Sequence, residues 1–324
     1  MDHHPVAIDR PATPWRGRLD GTTPEHFRWH QLINQRLGAQ PKPADFTLLG
    51  FSSDAGVHRN QGRVGAAAGP AALRQALAPM AIEAEQPVVD LGDVVVPGDE
   101  LESGQERLSV LIERLIQAKA RPIVLGGGHE SVYGSFLGLH RALRASGKQR
   151  VGVLNLDAHF DLRTAPKRSS GTPFNDIAQY LRQQGERIHY AALGISRPSN
   201  TTALFDRAAE LSVDYLLDEQ CVSWNIAAVR DFVQCFLEPL DRVQLSIDLD
   251  VLPASVAPGV SAPAGFGVPY EVIREVCDQV AASGKLALLE VVELNPLFDI
   301  DQRTARSAAR LIETIVRTGW INKQ

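Results

Sequence analysis

Residues 151–163 constrain the fold of this chain more than any other segment. Residues 151–154 form an apolar run, which is typical of a strand buried on both faces of a parallel sheet. Acidic and imidazole side chains follow at alternate positions: Asp157, His159 and Asp161. Because residues two apart in an extended chain point to the same face, these three side chains can converge at or just past the strand end. A polar strand-to-loop junction would show the same pattern, so this segment alone leaves both interpretations open.

Two other predicted strands end in the same kinds of side chain. Residues 122–125 are apolar and run into three glycines and then His129, while residues 243–247 alternate apolar and polar and lead to Asp248 and Asp250. Glycine-rich loops after strands often bind phosphate, but the spacings of the known phosphate-binding motifs are absent here. Turn or cap roles remain an alternative for the two aspartates.

The three strand ends together predict a metal centre. Carboxylates and imidazoles without a thiolate suit Mn²⁺ better than structural zinc, and the set is too large for one small cation. Two cations about 3.5–4 Å apart can activate a shared water molecule and polarise a planar carbon centre. In open α/β sheets, ligands bind at the carboxyl ends of the strands. The predicted ligands of two Mn²⁺ ions are His129, Asp157, His159, Asp161, Asp248 and Asp250.

Strand-like and helix-like segments alternate along the rest of the chain. This alternation predicts a doubly wound, mostly parallel sheet with α/β architecture. Further strands are predicted at residues 46–50, 88–94, 191–195, 216–217 and 286–289, and helices at 70–77, 103–119, 271–282 and 304–318.

Length, charge and cysteine content exclude several classes of protein. The 324 residues suffice for one large domain. No segment reads as a linker, so we expect a flexible segment over residues 1–14 and a single domain over residues 15–324. A net charge of −5 without a basic run argues against nucleic acid, and no apolar run or leader pattern indicates a membrane span or a signal peptide. Cys221, Cys235 and Cys277 lack metal-ligand spacing and are expected to be buried and reduced in a cytoplasmic protein.

The three motifs resemble the metal-binding motifs of the arginase–agmatinase (ureohydrolase) superfamily. They are Gly-Gly-Gly-His-Glu at 126–130, Asp-Ala-His-Phe-Asp at 157–161 and Ser-Ile-Asp-Leu-Asp-Val-Leu at 246–252. The resemblance implies a three-layer α/β/α, arginase-like fold, two Mn²⁺ per subunit, a homo-oligomer, and hydrolysis of a C–N bond in a linear amidine or guanidine. It also implies that Asp161 and Asp248 bridge the two ions and that Asp161 carries a proton to the leaving amine.

A fourth segment, Glu-Leu-Asn-Pro at 293–296, resembles the Glu-x-Asn-Pro element of that superfamily. The resemblance implies that Glu293 binds the cationic nitrogen of the substrate and takes part in catalysis. The alternative is an ordinary ion-pair role.

Within the superfamily, residues 194–201 and 259–267 resemble bacterial formimidoylglutamases. Those enzymes hydrolyse N-formimidoyl-L-glutamate to L-glutamate and formamide in histidine degradation. Ser170 stands where agmatinase has a histidine, which weighs against agmatine or arginine as the substrate.

Arginine side chains are the candidates to bind substrate carboxylates. Arg163 follows the metal-binding motif, and a guanidinium there can pair with a carboxylate through two hydrogen bonds. Arg197 and Arg63, with Arg59 beside it, are further candidates, and Ser170 is expected to contact substrate. Solvated surface charges remain the alternative for these arginines.

Other functions also remain open. A ureohydrolase acting on a guanidino acid such as guanidinobutyrate would also use an arginine to bind a carboxylate, and agmatinase is a further alternative. A catalytically silent binding member of the fold is disfavoured by the full ligand set and Glu293. A deacetylase-like hydrolase is disfavoured because such enzymes use a single zinc.

Overall fold

The computed structural model describes residues 8–83, 85–147 and 149–319. Within these residues nine strands form one sheet. The strands are β1 (Arg10–Pro11), β2 (Phe46–Ser52), β3 (Val88–Val95), β4 (Arg121–Leu125), β5 (Val151–Leu156), β6 (His189–Ile195), β7 (Asp214–Leu217), β8 (Arg242–Asp248) and β9 (Leu286–Val292).

The described α-helices flank this sheet. They are α1 (Trp29–Gln35), α2 (Ala55–Arg59), α3 (Gly69–Leu77), α4 (Leu101–Gln117), α5 (Ser131–Ala145), α6 (Pro173–Gln183), α7 (Thr202–Glu210), α8 (Ile226–Leu237), α9 (Tyr270–Ala282) and α10 (Arg303–Arg317). Short 3₁₀ turns lie at Pro24–His26, Ala66–Ala68, Arg197–Ser199, Asp218–Gln220, Ser223–Asn225 and Leu249–Val251.

The strand order is β1-β3-β2-β4-β9-β8-β5-β6-β7. Neighbouring strands are parallel except for β1, which runs antiparallel to β3. The strands are largely apolar, and successive side chains of a strand point to opposite sides. Both faces of the sheet are therefore apolar. In β2, Phe46 and Leu48 pack into one hydrophobic cluster, while Leu49 and Phe51 pack into the other.

The two clusters define the outer layers. Buried residues of α1, α3, α8, α9 and α10 belong to one cluster, and those of α4, α5, α6 and α7 belong to the other. The predicted three-layer α/β/α, doubly wound, mostly parallel sheet is therefore confirmed.

The long helices follow from their apolar spacing. Leu108, Leu111, Ile112 and Leu115 of α4 are buried along one stripe, as the spacing predicts. Helix α3 carries Pro70 in its first turn, where the missing N–H has no helical partner to lose.

The amino-terminal segment differs from the prediction of an irregular, flexible stretch over residues 1–14. Residues 1–7 lie outside the described residues, but Arg10 and Pro11 pair with Asp93 and Gly92 of β3. Gly92 has a positive φ of 103°, and a Cβ there would lie 2.1 Å from the Arg10 carbonyl oxygen. Glycine thus permits the close approach, and an Arg10–Asp93 ion pair at 3.2 Å holds it. A single domain over residues 15–324 remains a prediction, which the continuous sheet supports.

Two further predictions concern the cysteines and the membrane. Cys221 and Cys277 are buried and unpaired, whereas Cys235 differs from the prediction because it lies on the exposed side of α8. Among the residues that the structure describes, no helix is both long and apolar enough to cross a membrane.

The centre of the sheet places four loops side by side. Strands β4, β9, β8 and β5 are consecutive neighbours and run parallel, so their carboxyl ends open on the same edge. The segments that begin with Gly126, Asp157, Leu249 and Glu293 follow these ends directly.

Candidate active site

The six predicted metal ligands converge at this edge in two clusters. In the first, His129 Nδ1 lies 3.2 Å from Asp157 Oδ2, 2.9 Å from Asp161 Oδ2 and 3.1 Å from Asp248 Oδ2. We call this the His129 cluster. All of its ligand atoms lie within 4.8 Å of one another.

The second cluster contains Asp157, His159 and Asp250, and we call it the His159 cluster. His159 Nδ1 lies 3.0 Å from Asp250 Oδ2 and 3.5 Å from Asp157 Oδ1. Asp157 therefore presents one oxygen to each histidine. Asp161 and Asp248 both belong to the His129 cluster and not to the His159 cluster. The bridging roles expected of these two residues stay predictions.

A turn, rather than continued extended chain, brings the residues of the Asp-x-His-x-Asp motif together. Strand β5 ends at Leu156, and the His159 backbone N–H donates to Asp157 Oδ1 at 2.6 Å. Asp161 then adopts a positive φ of 48°. Such left-handed conformations cost about 1–3 kcal/mol in residues other than glycine and persist where the surroundings enforce them. Alternation along a strand therefore explains the grouping of these side chains only in part.

Negative charge is concentrated in these clusters. Burial, followed by the charges of Asp250 and Asp157, raises the pKa of Asp248 well above its usual value. Burial acts to lower the pKa of His129, but the adjacent carboxylates of Asp157, Asp161 and Asp248 outweigh it and hold this pKa well above its usual value. Four converging carboxylates with two imidazoles thus form a site whose charge bound cations would balance.

The donor atoms fit divalent cations in type and orientation. His129 Nδ1 is buried and aimed between three carboxylate oxygens, yet it forms no well-aligned hydrogen bond within the described chain. A nitrogen lone pair directed at a point shared with carboxylate oxygens is the arrangement of a metal ligand. Each cluster combines oxygen and imidazole donors, which suits Mn²⁺.

The His129 ring is held on its other side. Nε2 lies 2.9 Å from Ser246 Oγ, and the ring packs edge-on against Phe174 with 5.3 Å between centroids. If Ser246 accepts this hydrogen bond, Nε2 carries the proton and Nδ1 stays free to bind a metal. Ser246 was missed by sequence reasoning, although it lies two residues before Asp248 on the same strand and so points to the same side.

Glu293 lies beside the clusters but belongs to neither. It follows β9 with a positive φ of 67°, and its Oε1 accepts a hydrogen bond of 2.8 Å from the His129 backbone N–H. Its Oε2 is buried and has no hydrogen-bond partner within the described residues. Burial, followed by the charge of Glu130, raises the pKa of Glu293 to about 8. One carboxylate oxygen is therefore held and the other is available.

Glu130 is another residue that the sequence analysis missed. It is buried, and its Oε1 accepts hydrogen bonds from Ser53 Oγ at 2.7 Å and from the Gly56 backbone N–H at 2.9 Å. These bonds attach the loop after β2 to the metal-binding motif that contains His129. The adjacency of Glu130 to His129 in the sequence was the available signal.

Two of the predicted substrate-binding residues lie together. Arg163 Nη1 donates to Asn60 Oδ1 at 2.6 Å, and Asn60 Nδ2 donates to Ser170 Oγ at 3.1 Å. Arg163 is exposed, whereas Ser170 is buried. Asn60 is a third residue that sequence reasoning missed, although it lies in the polar loop after β2.

The other arginines have different surroundings. Arg63 donates to the carbonyl oxygens of Val260 and Ser261 and lies 4.1 Å above the ring of Phe298. Arg59 forms ion pairs with acidic side chains at 2.5 and 2.7 Å. Arg197 is exposed, with its guanidinium 5.5 Å from the centroid of the Phe205 ring. None of these contacts reaches the two clusters, so substrate contact by Arg63 and Arg197 stays a prediction.

Comparison with known proteins adds independent evidence. The family model described as the arginase family matches residues 44–317. The chain is 55% identical over 308 residues to the formimidoylglutamase of Nocardia farcinica, covering 95% of this chain and 97% of that one. It is 50% identical to the formimidoylglutamase of Ralstonia nicotianae, covering 94% of each chain.

Solved structures share the fold. An arginase superfamily protein from Trypanosoma cruzi superposes with a TM-score of 0.77 at 25% identity, covering 90% of this chain and 98% of that one. The Trypanosoma cruzi formiminoglutamase solved with Mn²⁺ gives a TM-score of 0.75 at 25% identity, covering 88% of this chain and 97% of that one. Because the family model spans most of the sequence and the relatives match along nearly their full length, the chain belongs to the arginase family.

Proposed function

We propose that the protein is a binuclear manganese hydrolase that cleaves a C–N bond of N-formimidoyl-L-glutamate, giving L-glutamate and formamide. The observation that carries the proposal is the pair of metal-type clusters that share Asp157, with the free oxygen of Glu293 beside them. Relatives named formimidoylglutamase, at 50–55% identity over almost the whole chain, support the same substrate.

Two Mn²⁺ ions fit the two clusters. His129, Asp157, Asp161 and Asp248 would hold one ion, and Asp157, His159 and Asp250 would hold the other. Mn²⁺ is favoured by the hard donor set and by the Mn²⁺ of the Trypanosoma cruzi formiminoglutamase structure. When bound, such ions supply Lewis acidity, which activates water and polarises the carbon under attack.

Glu293 has the position to bind the formimidoyl group. Its free Oε2 can accept a hydrogen bond from an amidine N–H, while the bond from the His129 backbone fixes the carboxylate. An ionised Glu293 would balance the positive charge of the amidinium and orient its carbon toward the two clusters.

Asp161 is the best placed carboxylate for proton transfer. Its side chain is 12% exposed, compared with 0% for Asp157 and 4% for Asp248. A carboxylate that the substrate can reach can take up a proton and deliver it to the nitrogen of the departing glutamate. Water supplies the oxygen of formamide, and both protons are accounted for in the two products.

The carboxylates of the glutamate portion need cationic or donor groups beside the two clusters. Arg163 and Ser170 are the residues that we propose for this role, because Arg163 forms no ion pair among the described residues and already lies against Asn60. Arg197 and Arg63 remain further candidates. To bind substrate, the Arg63 guanidinium would have to give up its hydrogen bonds to the carbonyl oxygens of Val260 and Ser261.

The test is formamide release by the purified, Mn²⁺-loaded protein, with metal content measured on the same sample. We expect two Mn²⁺ per chain and turnover of N-formimidoyl-L-glutamate well above that of 4-guanidinobutyrate or agmatine. Preference for a guanidino substrate would replace the proposed substrate with another ureohydrolase substrate. Absence of turnover with every substrate of the panel would favour a silent binding member of the fold. A homo-oligomer and a cytoplasmic location also remain proposals, and sedimentation measures the first.

A further inference from the structure

We propose that Asn60 sets the hydrogen-bond polarity of the surface formed by Arg163 and Ser170, so that both side chains present donors to the substrate. The inference rests on the proposed function, since it explains how carboxylates of the substrate would be selected. Asn60 would act as a positioning and specificity-determining residue, not as a catalytic one.

The orientation of the Asn60 amide follows from its partners. An arginine side chain has five N–H donors and no acceptor, so the amide atom that lies 2.6 Å from Arg163 Nη1 must be the oxygen. The amide nitrogen therefore faces Ser170 Oγ, at 3.1 Å. Asn60 accepts from Arg163 and donates to Ser170, and the reverse arrangement is excluded.

This orientation determines what Ser170 can offer. A hydroxyl group has one proton and two lone pairs, and Asn60 occupies one lone pair of Ser170. Among the described residues, no acceptor takes the Ser170 proton or the side-chain N–H groups of Arg163 that do not contact Asn60, so both can be donated. A carboxylate, which only accepts hydrogen bonds when ionised, matches these donors, whereas the positive charge of Arg163 repels an ammonium group.

Asn60 also leaves the charge of Arg163 intact. Arg59, its neighbour in the sequence, is neutralised by ion pairs with Asp99 and Glu102. Arg163 has no acidic partner in the part of the chain that the structure describes, and Asn60 holds it through a neutral oxygen. An aspartate at position 60 would hold the guanidinium equally well but would cancel its charge.

Contacts on two sides hold Asn60 against Arg163. On one side, Glu130 holds the loop that carries Asn60, through Ser53 and Gly56, and the Asn60 backbone N–H donates to the Gly56 carbonyl at 2.9 Å. On the other side, Gly171 packs against the contact. A Cβ at Gly171 would lie 2.9 Å from Asn60 Oδ1 and 3.1 Å from Arg163 Nη1. A side chain at position 171 would therefore force Asn60 or Arg163 to shift.

The variant Asn60→Asp tests the proposal with almost no change in shape. One aspartate oxygen would still accept from Arg163, but the other would accept the Ser170 proton and turn that hydroxyl inward. We expect the KM for N-formimidoyl-L-glutamate to rise about tenfold to a hundredfold, with little change in kcat or in Mn²⁺ content. For N-butylformamidine, which has no carboxylate, we expect an unchanged kcat/KM.

A second variant changes the geometry without adding charge. Gly171→Ala should displace the Asn60 amide by its new methyl group and raise the KM for the same substrate, with a smaller effect than Asn60→Asp. Asn225→Asp is the matched control, because it makes the same atomic change at a residue whose side chain donates a hydrogen bond to the Gln220 carbonyl oxygen, away from Arg163. Thermal melting of all three variants shows that they are folded.

The possible results separate the two proposals. Equal loss of kcat/KM on N-formimidoyl-L-glutamate and N-butylformamidine, or an unchanged KM in Asn60→Asp, would overturn the role of Asn60. If the wild-type protein releases no formamide, the proposed function fails. The role of Asn60 is then tested by calorimetric titration of the Mn²⁺-loaded protein with L-glutamate, where Asn60→Asp should weaken binding about tenfold or more. Absence of glutamate binding to the wild-type protein would overturn both.

Discussion

The hydroxyl group of Ser246 is predicted to stabilise one of the two metal positions and not the other. Ser246 Oγ lies 2.9 Å from His129 Nε2, and both side chains are buried. Ser246→Ala removes the partner of this ring nitrogen and frees the imidazole to turn. The His159 cluster contains no residue that contacts Ser246 through a described hydrogen bond.

The expected magnitude follows from this one bond. Leaving a buried donor without a partner costs about 1–3 kcal/mol. The His129 ring occupies the same place without metal, so the substitution also destabilises the metal-free protein. The full cost is therefore an upper limit for the change in the free energy of metal binding. Substitutions at residues that support a metal ligand typically weaken binding about 10- to 100-fold. We therefore expect Ser246→Ala to weaken Mn²⁺ binding at the His129 cluster about tenfold.

Titration with Mn²⁺ measures this effect directly. The electron paramagnetic resonance signal of free Mn²⁺ counts unbound ions, so a two-site binding curve resolves the two affinities. The control is Ser109→Ala, which removes a buried hydroxyl that donates to the Glu106 carbonyl on α4. An unchanged curve for Ser246→Ala, or an equal loss at both positions, would refute the reasoning.

Three further substitutions test the assigned roles. Asp248→Ala should lose at least one Mn²⁺ per chain, by atomic absorption, and nearly all formamide release, because the His129 cluster loses a carboxylate. Glu293→Gln keeps the shape but removes the charge, and it should retain both ions while turning over about a hundredfold more slowly. Arg163→Ala should raise the KM for N-formimidoyl-L-glutamate about tenfold to a hundredfold with normal metal content, and Arg163→Lys should restore it only in part.

Each of these substitutions has an outcome that contradicts it. Full metal stoichiometry with normal turnover in Asp248→Ala would argue against a binuclear centre. Metal loss in Glu293→Gln would make Glu293 a metal ligand instead of a substrate contact. Arg163→Ala could lose as much activity on a formamidine without a carboxylate as on N-formimidoyl-L-glutamate. Arg163 would then act by neutralising the acidic clusters and not by binding the substrate.

The sheet was predictable because its strands are short apolar runs that lead into polar loops. The predicted strand at 88–94 corresponds to β3 (Val88–Val95), and the predicted helix at 304–318 corresponds to α10 (Arg303–Arg317). The order of the strands was not predictable. Pairing of β9 with β4 and β8 depends on contacts between segments far apart in the chain, and all three are similarly apolar.

Helix α5 shows why some helices gave no clear periodic pattern. It is buried around its circumference, so it lacks the polar face that marks an amphipathic helix. Gly138 contacts α4 so closely that a Cβ there would lie 2.2 Å from the Ser109 carbonyl oxygen. In the sequence alone, however, a glycine argues against a helix, because it lowers helix propensity.

The metal-type side chains were predictable and their supporting residues were not. Asp157, His159 and Asp161 share a short motif, so their spacing indicated that they would meet. Asn60 meets Arg163 across 103 positions, and Ser246 meets His129 across 117. Single polar residues acquire such roles only through a distant partner, and no local pattern marks them.

The position of β9 gives the two clusters different structural requirements. Among the described strands β9 is the last in the sequence, yet it lies between β4 and β8 in the middle of the sheet. The His159 cluster draws only on the ends of β5 and β8, which pair directly. His129 follows β4 and Asp248 ends β8, and β9 pairs with both strands and so sets the distance between them. The His159 cluster therefore depends on one pair of neighbouring strands, whereas the His129 cluster also depends on the strand that separates β4 from β8.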